Sequence, residues 1–311
     1  MILGIDTSNY TTSVALYDEK NNQVYSFKKL LPVPDGQRGL RQSDAVFHHT
    51  MQIRELLEQI YSVSTDITAV GVSEKPCDTE GSYMPCFMVG QTVAKAISGV
   101  LKVPLYCFSH QRGHIAAALY SVDRLDLIKT NFIAFHFSGG TSDALLIEPD
   151  EQKIISCTLI AQSSDLKAGQ AIDRTGVMLS LPFPSGKYID ELARQSDKIF
   201  KINPSFSGLN PSFSGVENKV IKMKNDGADN KDIAKYAVSY VLAVVDKMTD
   251  GIIKKYGNMP LVFAGGVMSN SLIREYMTEK YNCYFAAPEF SSDNAAGAAI
   301  LASFKEKHNG R

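Results

Sequence analysis

Two histidines are spaced for metal chemistry. His110 and His114 lie four residues apart, and in a helix this spacing puts both imidazoles on one face, one turn apart, where they can bind one metal ion. Asp293, far downstream, adds a carboxylate. From the pair alone, two unconnected histidines on an amphipathic helix are as good an explanation as a metal site.

The residues between the histidines argue against one kind of metal chemistry. Zincin peptidases also carry two histidines four apart, but their mechanism needs a glutamate directly after the first as general base. Gln111 occupies that position and cannot ionise. Gly113 costs a helix about 1 kcal/mol relative to alanine, which indicates that a ligand or a neighbouring backbone approaches closely there.

The composition indicates a large globular protein with reduced thiols. With 311 residues, 44% of them hydrophobic, the chain can bury a large core and is expected to form two lobes. A net charge of −1 argues against a generally basic nucleic-acid binder, although Lys219, Lys222 and Lys224 form a candidate local patch for phosphate. Five cysteines without a CxxC pair, no leader pattern and no apolar run of about 20 residues predict a cytoplasmic protein without membrane contact.

The elements that must position these residues include two β-hairpins, each a strand, a polar tip and a second strand, about 130 residues apart. Residues 2–17 form the first and residues 132–147 the second. Both tips are rich in small polar residues, which leave backbone N–H groups and hydroxyls available for an anion. We therefore predict that Asp6, Thr7 and Ser8 are candidate phosphate-binding residues, and that a phosphate chain lies between two lobes.

Much of the remaining sequence has apolar residues at the spacing of an α-helix. Helices are predicted at 43–61, 90–101, 109–120, 167–179, 186–195, 230–256 and 293–305. Turn-forming residues predict loops at 31–36 and, as an exposed loop, at 203–215, where the sequence PSFSG occurs twice. The result is a duplicated two-lobe α/β fold: an N-terminal lobe of residues 1–125, with 293–311 packing back on it, and a C-terminal lobe of residues 126–292.

Short motifs in a fixed order carry a resemblance that spans almost the whole chain. In order they are GIDTS, HQRGH, FSGGTSD, AGQAIDR followed by PFPSG, SFSG, GGVMSN and SSDN. This order resembles the TsaD family, the catalytic subunit of tRNA threonylcarbamoyladenosine synthase, formerly described as a glycoprotease or O-sialoglycoprotein endopeptidase. The resemblance implies the duplicated actin-like ATPase fold of sugar kinases and heat-shock chaperones.

The resemblance implies a metal site at His110, His114 and Asp293, which would be the catalytic residues. The cofactor implied is one divalent metal per subunit, iron(II) with zinc or magnesium as alternatives. Two imidazoles and one carboxylate leave open coordination positions, as a Lewis-acid site requires. Asp293 also opens the predicted terminal helix, where the helix dipole stabilises a carboxylate whatever its function.

The resemblance also implies a pocket for threonylcarbamoyl-adenylate or an ATP-type nucleotide. The implied substrate-binding residues are His136, Phe137, Ser138, Gly139, Gly140, Asp173, Gly186, Asp190 and Asn270. An aspartate in such a pocket accepts hydrogen bonds from ribose hydroxyls. Structural roles stay open as well: Asp173 can cap or pair on its helix, the glycines can serve turns, and Asn270 can cap the helix that begins near Ser271.

The reaction implied is transfer of a threonylcarbamoyl group from its adenylate to the exocyclic amine of the adenosine next to the tRNA anticodon. The metal would polarise the carbamoyl carbonyl while backbone N–H groups hold the adenylate phosphate. The sequence does not identify the base that removes the amine proton, and Asp6 is one candidate. The partners implied are tRNA, a smaller paralogous subunit and an ATPase subunit.

Several departures from the family pattern surround the pocket and leave the metal ligands intact. Asn9-Tyr10-Thr11 replaces Cys-Asp-Asp, Thr141 replaces a histidine, and Gln170 replaces a glutamate. Residues 77–86 are bulkier than the glycine-rich segment of the family and contain an acid. The chain is therefore interpreted as a divergent paralogue. Two alternatives stay open, a non-catalytic nucleotide-binding scaffold and a paralogue with another carbamoyl acceptor, while Gln111 disfavours a metallopeptidase.

Overall fold

The computed structural model describes residues 1–8, 10–32, 40–291 and 295–310. The predicted turn at 31–36 lies mostly outside these residues, and Asn9 and Asp293 lie entirely outside them. The chain divides into two compact units. Unit 1 comprises Met1–Thr130, Glu148–Cys157 and Glu289–Arg311, and unit 2 comprises Asn131–Ile147 and Thr158–Pro288.

Unit 1 is built on a mixed sheet. Its strands are β1 (Ile2–Asp6), β2 (Thr11–Asp18), β3 (Gln23–Leu30), β4 (Ala69–Lys75) and β5 (Leu105–Ser109). They are ordered β3-β2-β1-β4-β5, with β1 antiparallel to β2 and parallel to β4. Its helices are α1 (Gln42–Val63), α2 (Phe87–Leu101), α3 (His110–Ser121) and, after the helices of unit 2, α9 (Ala296–His308).

Unit 2 carries a second mixed sheet. The strands of this sheet are β6 (Phe132–Phe137), β7 (Ser142–Asp150), β8 (Ile154–Gln162), β11 (Leu261–Ala264) and β12 (Cys283–Phe285). A separate two-stranded sheet is formed by β9 (Phe206–Ser207) and β10 (Asn210–Pro211). The connection between β7 and β8 is counted with unit 1. The helices are α4 (Ala168–Met178), α5 (Gly186–Ala193), α6 (Ser214–Asn225), α7 (Asn230–Tyr256) and α8 (Ser271–Lys280).

The two large sheets have the same topology. In unit 2 the order is β8-β7-β6-β11-β12, which repeats β3-β2-β1-β4-β5 strand for strand. Both begin with an antiparallel hairpin, β1 with β2 and β6 with β7, and both then add parallel strands. The duplication predicted from the two hairpins is therefore confirmed.

The helix predictions agree with the structure within a few residues for α1 to α5 and for α7. The terminal helix begins at Ala296 rather than at residue 293. The apolar stripe of α7 is buried, as its spacing predicts. Its fully or almost fully buried members include Ile233, Ala237, Val241, Val244, Val245 and Met248. No helix in the described ranges has the length and apolarity needed to span a bilayer.

The prediction of an exposed loop at 203–215 is wrong for its second half. β9 pairs with β10, Phe213 is fully buried, and α6 begins at Ser214. The cause is the carboxylate of Asp165, 48 residues before Phe213, which accepts hydrogen bonds from the Phe213 N–H at 2.8 Å and the Ser214 N–H at 3.1 Å. A side chain so distant in sequence supplies the start of a helix that local composition conceals.

The helix α9 packs against unit 1 through positions that lack side chains. A Cβ atom on Gly71 of β4 would overlap the carbonyl group of Ala298, and one on Gly4 of β1 would overlap backbone of the same helix. A Cβ atom on Gly297 would overlap the backbone of Gly113 in α3. The backbone of another helix thus approaches α3 at Gly113. A Cβ atom on Gly113 itself would meet no atom nearer than 3.9 Å, so the prediction that this approach explains the glycine at 113 is wrong, and the position that must lack a side chain is Gly297.

Gly71→Ala is expected to destabilise the protein by about 1–3 kcal/mol, because a methyl group must displace the α9 backbone in a packed core. Gly99→Ala in α2 is the matched control, since a Cβ there meets no atom within 4 Å. That control should raise the free energy of unfolding by up to about 1 kcal/mol through helix propensity. Denaturant unfolding of both variants measures the difference, and equal stability of the two would refute the packing constraint.

Candidate functional site

The predicted metal-binding histidines lie at the beginning of α3. The chain enters this helix from β5, and Ser109 caps it by accepting a hydrogen bond from the Arg112 N–H at 3.4 Å. The rings of His110 and His114 are neighbours on one face, with centroids 4.1 Å apart and planes at 70°. The geometry brings together the two imidazoles that the sequence spacing predicts.

A buried carboxylate holds the first histidine. Asp6, at the end of β1, contacts Nδ1 of His110 through Oδ2 at 2.8 Å, and the same oxygen accepts a hydrogen bond from the Ser73 hydroxyl at 2.5 Å. Burial alone would raise the pKa of Asp6, but the charge of His110 and the surrounding hydrogen bonds lower it further than burial raises it. With Nδ1 turned to a carboxylate, Nε2 is the nitrogen that a metal would use, and it lies 3.4 Å from the Ser8 hydroxyl, which the ion would have to displace.

The predicted phosphate-binding tip is buried inside unit 1. Asp6, Thr7 and Ser8 are each 1% exposed or less. The Thr7 hydroxyl donates to the Cys86 carbonyl at 2.9 Å and accepts from the Gly90 N–H at 3.0 Å, which ties β1 to the start of α2. Their phosphate-binding role stays a prediction. The lowered pKa of Asp6 makes it a weak proton acceptor, so it is a poor general base.

The third predicted ligand, Asp293, lies outside the described residues, and the described part of the chain contains no group of three side chains suited to a metal. The residues that are described fit a divalent ion chemically. Imidazole nitrogen is a preferred ligand of iron and zinc. His110 also has the carboxylate partner, Asp6, that metal-binding histidines usually have on their other nitrogen.

A second site lies wholly within unit 2, in a cavity of about 620 Å³. Six of the predicted substrate-binding residues line it: Ser138, Gly139, Asp173, Gly186, Asp190 and Asn270. Five of them come from four separate motifs, and Asp190 lies four residues after the last glycine of PFPSG. Ser138 and Asn270 are 132 residues apart in sequence. The volume is in the range of pockets that hold small molecules and cofactors.

Helix N-termini surround this cavity. Gly169 lies in the first turn of α4, α5 begins at Gly186, and Asn270 caps α8. The N–H groups of a first helical turn lack partners within the helix and carry partial positive charge, so open ones favour an anion. In α4, the N–H groups of Ala168 and Gly169 already donate to Ser142 and Ser138, and in α8 those of Ser271 and Ile273 donate to Asp190 and Asn270. A Cβ atom on Gly169 would lie 2.6 Å from the Gly139 nitrogen, so glycine is required there for α4 to reach the turn that follows β6.

Three other cavity glycines have no such packing reason. At Gly139, Gly186 and Gly266 a Cβ atom would meet no protein atom within 4 Å, and none of the three has a left-handed φ. Neither packing nor backbone conformation demands glycine at these positions. All three are exposed at the cavity lining, so a side chain there would extend into open space rather than into protein.

Asp173 lies in α4 with one side facing the cavity. Its Oδ1 atom accepts a hydrogen bond from the Ser185 N–H at 2.8 Å. Burial raises the pKa of this carboxyl, and the bond from Ser185 only partly offsets the rise. An under-compensated carboxylate is a suitable acceptor for ligand hydroxyl groups.

The other two polar cavity residues are joined to the start of α8. Asp190 accepts hydrogen bonds from the hydroxyl group of Ser271 at 2.8 Å and from its N–H at 3.1 Å. Asn270 accepts through Oδ1 from the Ile273 N–H at 3.2 Å, so the capping role predicted as one alternative is confirmed. The cap does not use the Asn270 NH₂ group, which is a donor that a ligand can accept from.

Three predicted residues of the pocket do not line the cavity. Phe137 is fully buried in the sheet, and Gly140 is exposed in the turn after β6. Nδ1 of His136 lies 2.9 Å from the hydroxyl of Thr141, which in turn lies 2.9 Å from the Ser138 hydroxyl. Thr141, a departure from the family pattern, therefore links His136 to the turn that does line the cavity.

Sequence reasoning missed part of the lining. The additional residues are Gly169, Ile172, Pro184, Lys187, Gly266, Val267, Ser269, Ile273 and Pro288. Most belong to motifs that were recognised, and only their contact with the cavity was not predicted. Lys187 is the basic residue of the lining; its ammonium group lies 3.9 Å from Glu191 and its side chain is 79% exposed.

Two comparisons identify the family. A sequence model of the TsaD family, described as tRNA N6-adenosine threonylcarbamoyltransferase, matches residues 43–300. A curated protein of that name from Ligilactobacillus salivarius (strain UCC118) is 30% identical over 332 residues, which cover 98% of this chain and 92% of the relative. The chain belongs to the TsaD family. This TsaD-family protein is accordingly an enzyme of the transferase class.

Solved structures resemble the TsaD-family chain in fold. Full-length HypF in its phosphate- and nucleotide-bound form matches with a TM-score of 0.61 and 13% identity, over 98% of this chain and 55% of HypF. Component A of Acidaminococcus fermentans (R)-2-hydroxyglutaryl-CoA dehydratase gives 0.57 and 18%, over 99% and 98% of the two chains. A ROK family glucokinase from Streptomyces griseus, solved with glucose and AMPPNP, gives 0.52 and 10%, over 98% and 99%. The predicted actin-like, sugar-kinase fold is confirmed.

The raised pKa of Asp173 predicts how stability depends on pH. A carboxyl whose folded-state pKa exceeds its ordinary value, 3.8, contributes stability that is complete below the unfolded pKa and is lost as the pH rises through the folded pKa. Asp173→Asn keeps the acceptor for Ser185 but carries no charge. The variant should therefore gain stability relative to the native protein as the pH rises from about 4 toward neutrality.

Urea unfolding at several pH values measures this gain. Asp126→Asn is the control with the opposite sign, because the hydrogen bond from Arg124 lowers the pKa of Asp126. Its native carboxylate contributes stability above the unfolded pKa, so this variant should be the less stable one at neutral pH. A gain for Asp173→Asn that does not change with pH would contradict the assignment of its raised pKa.

Proposed function

We propose that this chain transfers the threonylcarbamoyl group of threonylcarbamoyl-adenylate to the exocyclic amine of the adenosine next to the tRNA anticodon, in the cytoplasm. One observation carries the proposal: six residues assigned to substrate binding, five of them from four separate motifs, line a single cavity of about 620 Å³. The family match over residues 43–300 supports the same reaction.

The cavity of unit 2 is the adenylate site in this proposal. The first turn of α5, which begins at Gly186, supplies N–H groups for the phosphate. First-turn N–H groups of α4 and α8 already donate to protein oxygens. Asp173 accepts a hydrogen bond from a ribose hydroxyl through the oxygen that Ser185 does not use. Asp190 and the Asn270 NH₂ group contact the nucleoside, while Gly139 and Gly186 leave room for it.

The metal site of unit 1 is proposed at His110 and His114, with Asp293 as the third ligand and iron(II), zinc or magnesium as the ion. When bound, the ion supplies Lewis acidity for the carbamoyl carbonyl. Asp6 holds the imidazole of His110 in one orientation and keeps the proton on Nδ1, which leaves Nε2 to bind the ion.

The acceptor and the partners follow from the proposed reaction. Lys219, Lys222 and Lys224 are exposed on α6, where they can neutralise tRNA phosphates. A net charge of −1 leaves the chain without a general attraction to RNA. We therefore propose that the paralogous small subunit and the ATPase subunit of the family take part in presenting the tRNA.

Gly186→Ala is expected to lower the affinity for AMP about tenfold or more, because its methyl group enters the cavity, a loss of about 1.4 kcal/mol or more. The same change should leave the free energy of unfolding unaltered or raise it, since alanine favours the helix. Isothermal calorimetry with AMP and denaturant unfolding measure the two effects. Gly99→Ala, equally free of contacts, is the control that should bind AMP normally; unchanged AMP affinity of Gly186→Ala would exclude this cavity.

Single-turnover transfer tests the whole reaction. Purified protein, ferrous ion, threonylcarbamoyl-adenylate and unmodified tRNA are mixed with and without the partner subunits, and digested nucleosides are analysed by mass spectrometry. His114→Ala should abolish the modified adenosine while AMP binding persists, because the cavity belongs to the other unit. His308→Ala, exposed near the end of α9, should transfer at the native rate.

The same transfer experiment also tests the two alternative functions, a nucleotide-binding scaffold and a transferase with another carbamoyl acceptor. If native protein forms no modified adenosine with any partner and any of the three metals, yet binds AMP, the chain is a scaffold or uses another carbamoyl acceptor. Transfer that survives both His114→Ala and a chelator would refute the metal site while leaving the adenylate site standing.

A further inference from the structure

A buried ion pair joins the loop after β4 to the helix of the histidine motif. Arg112 lies midway between His110 and His114, and helical geometry turns it to the opposite side of α3. Its Nε and NH₂ groups donate to Oδ2 of Asp78 at 2.8 Å and 2.6 Å. The Arg112 side chain is 6% exposed and that of Asp78 16%, so this pair is largely withdrawn from water.

Arg112 is the positively charged partner that compensates the negative charge of Asp78. Oδ1 of Asp78 is buried and accepts no hydrogen bond from the described residues. The nearby thiol of Cys157 offers no charge, because burial first and the Asp78 charge second raise its pKa to about 12. Removing the guanidinium would therefore leave an ionised carboxylate in a poorly solvated place, which is strongly unfavourable.

The same loop holds the first turn of α3 at a second point. The backbone N–H of Gln111 donates to the carbonyl of Pro76 at 3.0 Å. Residues 76 and 78 of the loop thus contact the first turn of α3 at the Gln111 N–H and the Arg112 side chain, while Asp6 contacts the His110 side chain. These three separate contacts limit rotation of the helix about its axis.

We propose that Arg112 and Asp78 are positioning residues of the metal site: their ion pair fixes the rotation of α3, so that His110 and His114 present their nitrogens to one ion. This inference rests on the proposed function only through the metal site. Neither residue binds the ion. Both act through the helix, and the two-point guanidinium contact suits that role because it resists rotation in a way a single ammonium contact does not.

Co²⁺ binding to the full chain provides the test, with the ion alone as probe and its visible absorption as readout. Arg112→Met is expected to lower Co²⁺ affinity about 10- to 100-fold, as loss of outer partners of metal ligands does, and to alter the absorption bands. Its midpoint of thermal unfolding should also fall, because Asp78 is left buried and unpaired. AMP affinity should stay native, since the cavity belongs to unit 2.

The double variant Arg112→Met with Asp78→Asn separates positioning from stability. It removes the stranded charge, so its unfolding midpoint should recover most of the loss. Its Co²⁺ affinity should stay low, because the two-point contact is still missing. Arg112→Lys should keep part of the affinity. Lys29→Met is the control: it breaks a 2.8 Å ion pair with Glu55 in the same unit, at side chains that are half-exposed, and should change neither affinity nor spectrum.

Two results would overturn the inference, and they are distinguishable. If the double variant regains native Co²⁺ affinity together with its stability, the pair is only structural, and the proposed transferase is unaffected. If the native chain binds no Co²⁺, the metal site itself is refuted, and the positioning role falls with it.

Discussion

The absence of side chains at a few glycines determines how unit 1 is assembled. Gly4 and Gly71 let α9 lie on the backbone of β1 and β4, and Gly297 lets it cross α3 at Gly113. Interiors packed at crystal-like density leave no room to adjust such contacts. The crossing requires glycine at 297 rather than at 113, where a Cβ atom would meet nothing nearer than 3.9 Å, and the two imidazoles lie on a helix against which α9 packs closely.

Charge is treated differently in the two units. Beside the histidine motif of unit 1, Asp6 contacts His110 and Ser73, which lower its pKa despite burial. In the cavity of unit 2, Asp173 receives one hydrogen bond and its pKa is raised. A carboxylate whose oxygens all have protein partners can hold neighbouring side chains in position. A buried carboxylate with few hydrogen bonds is unfavourable in the free protein, so a ligand that donates hydrogen bonds to it gains binding free energy.

Much of the fold follows from local pattern, and the parts that do not follow have identifiable causes. The hairpins and α7 are strongly periodic, so sequence is sufficient for them. Most residues of β3 (Gln23–Leu30) are exposed or half-exposed, so this strand lacks the alternation that would reveal it. The start of α6 depends on Asp165, whose distance in sequence hides the connection.

The site shows the same division. Spacing predicts the imidazole pair, and the family resemblance predicts six cavity residues, but neither predicts the roles of individual glycines. Gly169 and Gly186 occur in equally recognisable motifs, yet one is required by the neighbouring turn and the other faces open space. The contact between His110 and Asp6 joins residues 104 apart. Such facts depend on tertiary neighbours, which no single sequence contains.

Each unit is assembled from separate segments of the chain, and this affects how the protein can be divided into fragments. The boundaries at 130, 147, 157 and 288 make the backbone pass from one unit to the other four times. A fragment ending near Thr130 would lack both the 148–157 hairpin and α9, the helix on which β1 and β4 pack. Neither unit is therefore encoded by a continuous stretch of gene, and isolating unit 1 would need a redesigned chain order rather than a truncation.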